Sequence, residues 1–252
     1  MITVISVSSR RRGLCSVQLS AAEEYDWTYL CSLQTPESIN KRADKEKYEH
    51  LPDEEDNSGQ VYMLLINAKT AEENGIISGR RMEYSELVEI LSLSAAMRAR
   101  SRAVYLLSRQ DYAQKIMYQK LRTDFGDRAA AETVAYLADM GYMNDHALAN
   151  RLARAYLEAN MSRRGAIQKL CDRGISRGIA DECVGEYANE TGHSERSALM
   201  ELIPKKYRYA LSGEAADMRR AVNALMRRGY SYGDIKAAMD LLLDDNTLDY
   251  ED

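Results

Sequence analysis

The residues able to do chemistry are few and scattered in this chain of 252 residues. Its three histidines, His50, His146 and His193, lie far apart, and the four cysteines, Cys15, Cys31, Cys171 and Cys183, form no Cys-x-x-Cys pair. A structural zinc site needs about four clustered ligands, so neither a metal site nor a disulfide framework is expected. Cys171 and Cys183 are instead expected to fill helix interfaces. The acidic run Asp53-Glu54-Glu55-Asp56 lacks the spaced ligands and turn glycine of a calcium loop. No Gly-x-x-x-x-Gly-Lys phosphate cradle occurs, and no histidine suggests a nucleophile–base pair. The expectation is a protein that is not an enzyme and needs no cofactor or metal.

Charge is the stronger signal. The net charge is -5, but residues 98–240 carry 24 Lys/Arg against 18 Asp/Glu, whereas residues 1–97 carry 10 against 16 and residues 241–252 carry none against 5. A basic body thus lies between acidic ends. Within it, Arg163, Arg164, Lys169, Arg173 and Arg177 surround one predicted helix, and Arg219, Arg220, Arg227 and Arg228 flank another. Clustered cations create a steering field for phosphates or for an acidic protein surface; the alternative is an ordinary solvated helix face. Lys205, Lys206 and Arg208, interleaved with Tyr207 and Tyr209, form a second candidate. Its tyrosines could stack on bases or merely anchor a helix end with their hydroxyls in water.

The elements that must position these residues are mostly helical. Ile2 to Val7 and Leu14 to Leu19 alternate with period two around an Arg10–Gly13 turn, and Val61 to Ile66 suits a third strand. Residues 35–60 read as an acidic insertion. One possibility is that residues 40–60 mimic the charge of DNA and cover the basic face. From about Tyr84 the apolar spacing becomes three and four, and Leu87, Ile90, Leu91, Leu93, Val104 and Leu107 are expected on a core face. No segment reaches the roughly 20 apolar residues that cross a bilayer, and no secretory signal is seen, so a cytoplasmic protein without membrane contact is expected.

Three segments repeat: Gln119 to Gly126, Gln168 to Ile175, and Asn223 to Tyr230. In the last two, Gly follows an apolar anchor by four residues and precedes a large apolar residue, the signature of a left-handed helix C-cap. In the first the glycine arrives one residue late, so that turn must differ. The economical parse is an N-terminal β-rich segment (residues 1–80), a lead-in helix (84–97), three-helix repeats at 98–142, 144–191 and 194–243, and an acidic tail (244–252). Asp111, Ser162 and Ser176 are the expected N-caps. Tandem packing of such helix-turn-helix-like units would give an elongated, curved, mainly α body.

The stretch Val104-Tyr105-Leu106-Leu107-Ser108-Arg109, then Tyr112 to Leu121, Gly141-Tyr142-Met143-Asn144-Asp145-His146-Ala147-Leu148-Ala149, Gln168 to Ile175 and Gly229-Tyr230 resembles the RecX family of recombinase regulators in order and spacing. The resemblance covers about residues 80–242 and is most specific in the central repeat. It implies tandem three-helix repeats and binding within the groove of the RecA recombinase filament. It also implies modulation, usually inhibition, of ATP turnover and strand exchange in DNA repair and recombination. A monomer is expected, with phosphate contacts to single- or double-stranded DNA as a further possibility. The chain departs from the family pattern in several places. Ser162 replaces a usual glycine, Ile116-Met117 an acidic-Leu pair, and Leu148 an aromatic residue; the acidic insertion is also atypical. The rival reading is a helix-turn-helix DNA-binding protein acting without RecA. An α-helical adaptor that contacts no nucleic acid is a third reading.

Overall fold

The computed structural model describes residues 1–10, 13–21, 25, 30, 61–212 and 214–248. Two compact units divide it, Met1–Met143 and Asn144–Asp252. The acidic insertion at 35–60 lies outside the described residues, as do residues 249–252 of the expected tail.

In the first unit, β1 (Ile2–Arg10), β2 (Leu14–Ala21), β3 (Val61–Asn67) and the two-residue β4 (Arg81–Met82) form an antiparallel sheet in the order β3-β2-β1-β4. Alternation decides which face is buried. Ile2 and Val4, Val17 and Leu19, and Leu64 and Ile66 point inward and share a core with Leu87, Ile90 and Leu91. A bulge between Val4 and Ser6 ends strict alternation in β1. A short helix, α1 (Ala68–Glu73), follows β3; Asn67 caps it by accepting N–H bonds from Lys69 and Thr70.

The next helix, α2, runs unbroken over Tyr84–Leu107. The expected boundary at residue 98 between a lead-in helix and the first repeat is therefore not a break. No glycine or proline interrupts residues 84–107, and Ala95, Ala99 and Ala103 lie buried against α3 (Gln114–Asp139). Such small side chains let two helix backbones approach closely. Leu93 and Val104, expected in the core, are instead exposed. Nor does Asp111 cap a helix, because α3 begins after Ala113, whose backbone is extended and whose side chain makes no cap bond.

The late glycine of the first repeated segment has a visible effect. Gly126 breaks the helical conformation inside α3 (φ 79°, ψ 170°), dividing it into two arms. The Asp127 carboxylate holds the bend: it accepts a 2.6 Å hydrogen bond from the Tyr118 hydroxyl and pairs with Arg122 at 2.9 Å.

The second unit contains α4 (Asp145–Glu158), α5 (Arg163–Asp172), α6 (Arg177–Thr191), α7 (Glu195–Lys206), a 3-10 turn (Arg208–Ser212), α8 (Ala215–Arg227) and α9 (Tyr232–Leu248). Ser162 and Ser176 cap α5 and α6 through N–H bonds from Gly165 and Ile179. After Gly174, Ile175 N–H reaches back to Leu170 O at 3.1 Å; after Gly229, Tyr230 N–H reaches Leu225 O at 3.3 Å. This six-to-one bond is the Schellman closure. The same closure ends α4, where Asn160 (φ 53°) takes the left-handed position and Met161 N–H bonds Tyr156 O. Helix α9 continues to Leu248, beyond the expected end at 243; charge composition had suggested a tail, but no glycine or proline stops the helix there.

Gly126 occupies a region of backbone space almost closed to other residues, so Gly126→Ala should destabilise the chain by about 1–3 kcal/mol in urea unfolding. An unchanged midpoint would show that the bend relaxes without cost.

Candidate interaction surface

The predicted basic residues lie mainly on α5, the start of α6, the end of α7 and α8, all within the second unit. Two of them have structural work. The Arg228 guanidinium donates to Ala159 O at 2.8 Å and Asn160 O at 3.3 Å, and the Tyr230 hydroxyl donates to Asn160 O at 3.1 Å. Carbonyls at the end of α4, unpaired within their own helix, are thus satisfied from the segment between α8 and α9. In return, Arg228 O accepts from Ser162 N–H at 3.3 Å and from the Ser162 hydroxyl at 3.2 Å. The negative end of α8 therefore meets the positive end of α5. Arg163 completes the junction: its backbone N–H donates to the Glu195 carboxylate at 2.8 Å, and its guanidinium donates to His193 O at 3.1 Å.

Two glycines make this contact possible. A Cβ on Gly165 would lie 2.1 Å from Arg228 O, and one on Gly229 would lie 2.4 Å from the Ser162 hydroxyl. Gly229 also has φ of 95°, so it serves both the helix turn and the close approach. Ser162, which departs from the family pattern, is buried and uses its hydroxyl in both the cap and the junction.

Burial shifts the ionisable groups here. It pushes the Tyr230 hydroxyl up to about 12, helped by the nearby Glu195 charge. It lowers His193 below its ordinary 6.5; Glu195 opposes this shift and Arg163 reinforces it. His193 Nε2 is buried without a hydrogen-bond partner among the described residues.

The other cations face solvent. Arg164, Lys169, Arg173, Lys206, Arg208, Arg219 and Arg227 are exposed and make no ion pair with a described residue. Arg177 pairs with Asp181, Lys205 with Glu201, and Arg220 with Asp217, each within one helical turn; such exposed pairs contribute little. On α8, Arg219, Asn223 and Arg227 recur every four residues on one side, while Ala221 and Leu225 are buried on the other. Tyr207 and Tyr209 meet edge to face at 6.2 Å, and Arg220 lies 6.0 Å from the Tyr209 ring centre. Tyr207 is half-buried, so the tyrosines contact each other and an arginine rather than presenting two open rings.

The sequence reading passed over the arginines of α2, which lie against aromatic rings in the first unit. Their signal was present: four arginines and no carboxylate between Ile90 and Gln110. Among the described residues, no group of three or more His, Cys, Asp or Glu side chains could hold a metal ion, and no helix is long and apolar enough to cross a membrane.

A small antiparallel sheet followed by Schellman-closed helix triplets defines a mainly α, helical-repeat protein. No family model matches the chain. Curated relatives do: it is 32% identical over 131 residues to "Regulatory protein RecX" of Thermus thermophilus, covering 52% of this chain and 82% of the relative. It is 25% identical over 167 residues to the protein of the same description from Clostridioides difficile, covering 66% and 77%. A solved structure described as "Crystal structure of regulatory protein RecX" aligns with a TM-score of 0.54 at 15% identity, over 95% of this chain and all of that one; this likeness shows the shared fold. The chain belongs to the RecX family of regulatory proteins.

Two measurements test the junction. Gly165→Ala should destabilise by about 1–3 kcal/mol through overpacking, whereas Gly178→Ala, whose Cβ meets nothing within 4 Å, should be neutral or slightly stabilising. The lowered His193 value also fixes a sign. As pH falls through 6.5 the unfolded chain takes up a proton that the folded chain refuses, so stability is lost from there down through the folded value. Urea midpoints should therefore fall more steeply below pH 6.5 for the wild type than for His193→Asn. Equal slopes would remove His193 from the account.

Proposed function

We propose that this protein regulates a RecA-type recombinase by occupying its filament, with the exposed arginines of α5 and α8 contacting acidic side chains or DNA backbone, and that its effect is inhibition of ATP turnover and strand exchange. The observation that carries the reading is the solvent-facing set Arg164, Lys169, Arg173, Arg219 and Arg227, which have no ion pair with a described residue. Internal partners occupy neighbouring Arg163 and Arg228, so the two helices bearing the exposed cations are held to each other by hydrogen bonds. A fixed array of cations suits a repetitive charged polymer better than a mobile one, because less ordering is required on binding. Membership of a regulatory family supports action by binding, and occupancy of a filament requires no covalent step. The protein would act as a monomer in the cytoplasm.

Co-sedimentation with RecA–single-stranded DNA filaments is the direct test, with RecA ATP hydrolysis and strand exchange followed in parallel. The wild type should sediment with filaments and lower both activities. Arg219→Glu/Arg227→Glu should weaken binding by about tenfold, or about 1.4 kcal/mol. No change in sedimentation, hydrolysis or exchange at stoichiometric excess would refute the proposal. Tight, sequence-selective duplex binding without RecA would favour a helix-turn-helix DNA reader instead.

A further inference from the structure

We infer that the exposed strip of α2 is a second interaction surface, fitted to an acidic protein segment that also carries apolar side chains. This goes beyond the reading of α5 and α8 and does not depend on it.

The first observation is charge. The C-terminal half of α2 and the turn after it carry Arg98, Arg100, Arg102 and Arg109, and no carboxylate occurs from Ile90 to Gln110. Each guanidinium lies over an aromatic ring: Arg98 over Phe125 at 5.6 Å, Arg100 over Tyr136 at 4.2 Å, and both Arg102 and Arg109 over Tyr105 at 5.6 Å. Arg109 also donates to the Tyr105 hydroxyl at 2.7 Å. A guanidinium held by a ring face keeps most of its N–H edge available to an anion, whereas one in a bidentate salt bridge does not. Residues 102 and 109 are about two turns apart on a helix, and both turn toward one ring. Two like charges converge there, and Arg102 and Arg109 pair with no described carboxylate. The field at that point favours an acid.

The second observation is the apolar side chains beside these cations. Leu93, Val104 and Tyr105 are 54%, 55% and 50% exposed, although the spacing of Leu93 and Val104 reads as core. Tyrosine and arginine around exposed aliphatic groups match the composition of protein-interface hot spots. A phosphodiester chain would use the guanidiniums but leave Leu93 and Val104 in water. An acidic segment with leucine-like side chains would use both. The two features therefore favour a protein partner over a nucleic acid.

The test uses the full chain and fluorescence anisotropy. The probes are a fluorescein-labelled peptide of Glu-Leu-Glu-Glu-Leu repeats, the same peptide with Ser for Leu, and labelled oligothymidylate. The Leu peptide should bind about tenfold more tightly than the Ser peptide. Arg102→Gln/Arg109→Gln and, separately, Val104→Ser should each weaken the Leu peptide, while Arg219→Gln/Arg227→Gln should leave it unchanged. These positions are exposed, and a circular dichroism spectrum matching the wild type confirms that each variant is folded. The inference is overturned if the Leu peptide does not bind, if Leu and Ser peptides bind alike, or if neither α2 variant alters peptide binding. It is also overturned if the Arg102→Gln/Arg109→Gln variant loses affinity for oligothymidylate alone.

Discussion

The second unit depends on the reciprocal capping of two helix ends. Helix termini leave backbone groups that their own ladders cannot satisfy, and leaving them buried and unpaired costs about 1–3 kcal/mol each. Here the end of α4 and the start of α5 take partners from Arg228, Tyr230 and Glu195, while Arg228 O takes its partners from Ser162. Each side supplies what the other lacks. The exchange requires backbones close enough for Arg228 O to reach Ser162, and that distance leaves no room for a Cβ at Gly165 or Gly229. Removing one side chain would therefore strand groups on both sides, so the contact should be lost as a whole rather than bond by bond.

Much of the fold was legible because its signals are local. Period-two runs in Ile2–Arg10 and Leu14–Ala21 and helical spacing after Tyr84 identified the element types. The Gly174 and Gly229 closures were readable because a glycine before a large apolar residue encodes one particular backbone turn. Reading failed where the deciding contact is distant in sequence. Nothing near residue 98 says that α2 is continuous; buried Ala95, Ala99 and Ala103 pack across to α3, and that packing holds it straight. Asp111 looked like a cap because Asp often is one, but the buried Ala113 takes the extended turn before α3.

The candidate surface was legible in composition but not in role. Sequence grouped Arg163 with Arg164 and Arg227 with Arg228 as equivalent neighbours. Adjacent helical residues point about 100° apart, and here that separates an inward-facing member from an outward-facing one in each pair. Arg163 and Arg228 reach carbonyls about 30 and 69 residues away in the chain, contacts that no local pattern encodes. Leu93 and Val104 show the same limit from the apolar side: spacing of three and four defines a helix but not how wide its buried stripe is.

The arginines of the two units are restrained by different physics, and the difference bears on what each can bind. In the second unit, hydrogen bonds to backbone carbonyls fix Arg163 and Arg228 and thereby the helices that carry exposed cations. The cations themselves remain hydrated and mobile, a condition suited to many weak, salt-sensitive contacts. In α2 and the turn after it the guanidiniums are themselves held, against Phe125, Tyr136 and Tyr105. A cation already restrained by a ring loses less side-chain entropy on meeting an anion, and apolar neighbours exclude water from the contact. Such a surface favours a few specific contacts over long-range attraction. One chain thus carries both kinds of basic surface, distinguished by what stands beside each arginine rather than by how many arginines there are.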